Sequence, residues 1–163
     1  MGLDQIAYAV VRTRREGREE AWDARSSSPE QGPGPDDTEA LIASWRKHNR
    51  LHGWMENLWE SRGRPNWDGE KKPLGDFNNI PLELTWTDIE QLEAHVLNKE
   101  LPETLGFFFG EDSFTDFESD EEDSDGAPPA KNSYYYKNAD LIFIANARRA
   151  LQEGKAVFYD SWW

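Results

Sequence analysis

The 163-residue chain has no cysteine and only three histidines. Without cysteine there are no disulfides, no thiolate metal sites and no cysteine nucleophile, which fits a cytosolic setting. Long apolar runs are missing too: none approaches the ~18–20 residues needed to span a bilayer. The N-terminal MGLDQIAYAVV has no basic leader, longer apolar core or small-residue cleavage site, so it does not read as a signal peptide. These absences predict a soluble, cytoplasmic protein with no membrane partner. Positive charge is scarce, with 18 Lys and Arg against 32 Asp and Glu, for a net charge of -14. That balance repels a phosphate backbone and argues against general nucleic-acid binding. The phosphate-binding glycine loop, HExxH and the nucleophile elbow are also absent. No catalytic residue and no cofactor is therefore assigned. His48 and His52, four apart, have only His95 to join them from the second predicted helix, and no metal site is assigned either.

What the chain does have is aromatic mass: eight Trp, eight Phe and five Tyr. Each buried aromatic removes a large area from water, which lets a reduced number of ordered residues form a core. The length suits one domain, residues 1–163, with flexible insertions at about 24–36 and 113–132. The first of these is rich in Ser, Pro and Gly. The second follows GFFFG and belongs to a stretch with nine acidic residues from Glu111 to Asp125. Its DSDG resembles the start of a calcium loop but meets asparagine at position 132 where the closing glutamate belongs, so it reads as a solvated charge run.

Between the insertions the pattern predicts an α+β domain of about three helices on a short sheet formed by the N- and C-terminal strands. Leu3 to Arg12 reads as one strand and KAVFYDSWW as the other, the two pairing. The first helix is expected from an N-cap at Asp36, Asp37 or Thr38 to about Ser61. The second starts at a capping box, Thr87 with Glu90, and buries Ile89, Leu92, Val96 and Leu97 before Pro102. The third runs from Asn138 or Asp140 through Leu151, with Gly154 as its C′ residue. In this reading Trp45, Asn49, His52 and Glu56 share one stripe of the first helix, either as a polar seam in the core or as the wall of a site. Gly53, in the same helix, would let another backbone or a ligand come close.

The segment WRKHNRLHGWM at Trp45 to Met55 concentrates the candidate chemistry. Arg46 and Lys47 are anion ligands by type, Asn49 an amide donor and acceptor, and His52 an acid or base with Glu56 one turn away. Phe107 and Phe108 of GFFFG and Tyr135 of the Tyr134–Tyr136 run supply flat faces on which a ring can stack. With Trp54, the expected ligand-binding set is Arg46, Lys47, Asn49, His52, Trp54, Phe107, Phe108 and Tyr135.

Taken in order, MGLD, WRKHNRLHGWM, LPETLGFFFG, YYYKNADL and the closing YDSWW resemble small proteins encoded by bacteriophages and prophages. Those proteins begin MGLDMY, carry an element like YWRKANAIHGWF, continue to LPTxSGFFFGS and finish like YYQSSW. The matching positions are Arg46, Lys47, Asn49, His52, Trp54, Gly106 to Gly110, Tyr135 and Trp162. The long N-terminal insertion and the enlarged acidic stretch depart from the pattern. The resemblance implies a phage origin and a setting in the cytoplasm of the infected bacterium, and it implies no reaction.

Residues and resemblance together lead to the expectation of a non-catalytic accessory protein. It would bind a nucleotide-derived small molecule, with sequestration of a host immune signal as the role in counter-defence. The alternative is a protein-binding inhibitor of a host factor, acting through the acidic loop or an aromatic surface. A His52-dependent enzyme is a lesser alternative. A homo-oligomer is compatible with each.

Overall fold

A computed structural model describes residues 2–11, 39–104 and 134–163. Both predicted insertions and the GFFFG segment, with Phe107 and Phe108, lie outside the described residues. The chain order is β1 (Asp4–Val10), β2 (Glu39–Arg46), α1 (Asn49–Ser61), β3 (Leu82–Leu84), α2 (Trp86–Leu97), α3 (Lys137–Gln152) and β4 (Ala156–Trp162). The four strands form one antiparallel sheet in the order β2-β1-β4-β3, making a small α+β domain with the terminal strands side by side. Among the described residues no helix is long and apolar enough to cross a membrane.

The alternation in DQIAYAV does what a period of two dictates. Gln5, Ala7 and Ala9 are buried on one face, while Asp4, Ile6 and Tyr8 are only partly covered on the other. The β1–β4 register carries the same division across the sheet, with Ser161, Tyr159 and Val157 beside Gln5, Ala7 and Ala9. The helices pack on that inner face. Tyr159 meets His52 of α1, and Trp45 of β2 meets Phe143 of α3 edge to face at 5.1 Å. Ile89, Leu92 and Val96 of α2 join Phe143, Ile144 and Ala147 of α3 in the same apolar core.

The single long helix expected from about residue 37 to Ser61 is two elements. Residues 39–46 are β2, paired with β1 from Asp4↔Arg46 to Val10↔Glu39 with a register shift between Ala7 and Tyr8. Leu41, Ile42 and Trp45 fit helical spacing, but β1 needs a hydrogen-bonding partner on that side, and pairing overrides local pattern. Lys47, at φ 59, turns the chain out of the strand, and α1 then begins at Asn49. Trp45 therefore does not share a helical stripe with Asn49, His52 and Glu56.

Two smaller corrections follow the same logic. The capping box of α2 is Thr85 with Asp88, two residues earlier than expected: Thr85 Oγ1 accepts from the Asp88 amide at 3.3 Å and Asp88 Oδ2 from the Thr85 amide at 2.7 Å. Leu97 is exposed rather than buried. At the end of α3, Gly154 takes φ 78 and its amide reaches the Leu151 carbonyl, as a C′ glycine does.

β2 is an edge strand, and side chains from the α3 region cover two of its carbonyls. Asn146 Nδ2 donates to the Ile42 oxygen at 3.3 Å, and the Tyr136 hydroxyl donates to the Arg46 oxygen. At the opposite edge β3 is three residues long.

Candidate functional site

Strand register brings Arg46, Asp4 and Trp162 into one row across β2, β1 and β4, all on the outer face. Where this row meets the start of α3 there is an open depression of about 770 Å³, whose lining includes Asp4, Arg46, Tyr135, Tyr136, Asn138 and Trp162. The Arg46 and Asp4 side chains are 75% and 41% exposed, with Nε and Oδ1 3.8 Å apart. That spacing is a loose ion pair rather than a hydrogen bond, so both groups keep most of their hydrogen-bonding capacity. Tyr135 and Trp162 are exposed aromatics.

Behind this wall runs a buried polar chain. Asp140, in the first turn of α3 and fully buried, accepts from Trp45 Nε1 at 2.9 Å, from His48 Nε2 at 2.8 Å and from the Tyr134 hydroxyl. Burial, and then the neighbouring Asp140 carboxylate, push the Tyr134 phenol above its ordinary range, which keeps its proton on the oxygen. The ring of His48 stacks on Tyr136 at 4.3 Å. Gln5 brackets the backbone of His48: its Oε1 accepts from the His48 amide at 2.9 Å, and its Nε2 donates to the His48 carbonyl at 3.1 Å. The same Nε2 donates to the Tyr159 hydroxyl at 2.9 Å, and that hydroxyl lies 3.0 Å from His52 Nδ1. The hydroxyl has one proton and two lone pairs, so after accepting from Gln5 it shares a hydrogen bond with Nδ1 of a neutral His52 ring in either tautomer. Burial pushes the His52 pKa down to about 3, in agreement with a neutral ring.

The eight expected ligand-binding residues therefore divide. Arg46 and Tyr135 line the depression. Lys47 is exposed beside it, and its amide donates to the Leu3 carbonyl at 2.7 Å. Asn49 and His52 are buried, and His52 lies between Phe77 and Trp163, with ring centroids at 5.4 and 5.2 Å. The Asn49 side-chain oxygen accepts from the Arg50 amide at 2.9 Å. Trp54 is buried as well and donates to His95 Nδ1 at 2.7 Å, joining α1 to α2. Phe107 and Phe108 lie outside the described residues. Of the two readings of the Asn49–His52 stripe, the geometry matches the polar seam in the core.

Sequence reasoning missed Asp4, Gln5, Tyr159 and Asp140. A glutamine at an inward position of an alternating strand was the one available signal. An acid in a first helical turn reads simply as a complement to the helix dipole. Among the described residues no group of three or more His, Asp or Glu side chains is gathered as metal ligands. His48 is buried against Tyr136 and His52 between Phe77 and Trp163, while the depression offers a cation, an anion and aromatic faces. Comparisons with family models, with curated proteins and with solved structures found no match.

Proposed function

We propose that the protein is a non-catalytic binder of a planar, nucleotide-derived small molecule, held in the depression between the outer sheet face and the start of α3. One observation carries this reading: Arg46, Tyr135 and Trp162, from three separate parts of the chain, border the same open volume of about 770 Å³. Stacking on exposed aromatics is worth ~1–3 kcal/mol per base, and a guanidinium supplies polar recognition at the ring edge or at a phosphate. The resemblance to phage proteins supports a setting in an infected bacterium, where sequestering a host signal is the role this chemistry would serve.

The test is native mass spectrometry of the full chain purified from bacterial cells, beside its Arg46→Gln and Trp162→Ala variants. A bound small molecule that both folded variants lose supports the reading and gives the ligand mass. Bare protein in all three overturns it and favours a protein-binding inhibitor.

A further inference from the structure

Among the described residues the depression is lined by one cationic side chain, Arg46, and Asp4 stands beside it. Their charges cancel locally, and the chain as a whole carries -14. A polyphosphate would gain one guanidinium there and meet a carboxylate at once, so phosphates are not what this lining selects. What it presents is a fork of N–H donors next to a pair of carboxylate acceptors, at one end of a row whose other end is the indole of Trp162. Cross-strand neighbours lie about 4.5–5.5 Å apart. A flat ring stacked at Trp162 thus brings its edge to Asp4 and then to Arg46.

We propose that the ligand edge read here is that of guanine, an inference that rests on the small-molecule reading above. Guanine presents the O6 acceptor directly beside the N1–H and N2–H donors. Arg46 donates to O6, and the two Asp4 oxygens accept from N1–H and N2–H. Both sets are charge-assisted, the stronger class of hydrogen bond. Adenine reverses the order, placing a donor at N6 where Arg46 offers only donors and an acceptor at N1 where Asp4 offers only acceptors. The ribose and any phosphate then point toward solvent.

Titration of the full chain with guanosine, adenosine, cytidine and guanosine triphosphate, followed by tryptophan fluorescence and calorimetry, tests this. Guanosine should bind at least roughly tenfold tighter than adenosine or cytidine, as one well-made bidentate contact discriminates. The triphosphate should bind no tighter than guanosine. Asp4→Asn should abolish the preference, with thermal melting unchanged because the Asp4–Arg46 pair is exposed. Equal affinity for guanosine and adenosine, or an unaltered preference in Asp4→Asn, overturns the guanine assignment and leaves the small-molecule reading standing. No binding of any of the four overturns the guanine assignment too. Native mass spectra without a bound molecule would then remove the broader reading as well.

Discussion

Asp140 and His48, 92 positions apart in the chain, meet at 2.8 Å with both side chains completely buried. The same carboxylate takes donors from Trp45 and Tyr134. The segment before α3, the loop after β2 and β2 itself are thereby tied at one point directly behind the depression. Asp140→Ala strands these buried donors, and a loss of about 3–5 kcal/mol is expected on the rule for breaking one side of a buried pair. Urea unfolding of the variant checks it, and Asp140→Asn should lose less because the amide oxygen still accepts.

Acid should weaken the fold through His52. Its pKa moves from 6.5 to about 3 on folding, so between those values the unfolded chain binds a proton that the folded chain refuses. Stability from this group is complete above pH 6.5 and declines as pH falls toward 3, by at most about 1.4 kcal/mol per pH unit. In His52→Gln, which cannot titrate there, urea midpoints measured across this range should fall less steeply. Equal slopes in the two proteins would remove His52 from the acid response.

Gly53 allows α1 to sit against the chain that leads toward GFFFG. A Cβ added to it would come within 2.2 Å of Thr104 Cγ2 and 3.7 Å of Pro102 Cγ. Alanine improves helix propensity by about 1 kcal/mol, but overpacking typically costs about 1–3 kcal/mol, so Gly53→Ala should be neutral to destabilising. The double variant Gly53→Ala with Thr104→Ser lacks the clashing methyl. A thermal melt should show it to be more stable than Gly53→Ala alone.

Trp54 joins α1 to α2 through its 2.7 Å hydrogen bond to His95. Trp54→Phe keeps the aromatic bulk and removes the donor, which should cost about 1–2 kcal/mol in chemical denaturation. In a double-mutant cycle with His95→Phe the two losses should not add.

The terminal strands and α3 were legible because their signals are local: alternation in DQIAYAV, aromatic content in AVFYDSW, and a glycine with φ 78 closing the helix. β2 was not, since Leu41, Ile42 and Trp45 satisfy the helical spacing and the strand equally well, and only the unpaired side of β1 decides. β3 is too short to show any period. Thr85 and Thr87 each precede an acid by three positions, so the helix start was ambiguous by one box. In the candidate site, Arg46 and Tyr135 were visible as residue types, and the Asn49–His52 stripe was visible as something unusual on an apolar face. Asp4 could not be seen beside Arg46, because only the β1–β2 register makes them neighbours. Asp140 was hidden for a related reason: its partners Trp45 and His48 are brought to it by tertiary packing alone.

The hydrogen bonds that Asn146 and Tyr136 make to the Ile42 and Arg46 carbonyls bear on how the molecule behaves in a crowd. An open sheet margin is a template on which a neighbouring chain can extend the ladder, the first step toward aggregation. Here two acceptors along one margin are already occupied from within the molecule, and the other margin offers only three residues. Among the described residues these contacts shorten the ladder open to strand-by-strand growth, and mutual repulsion at a net charge of -14 acts in the same direction.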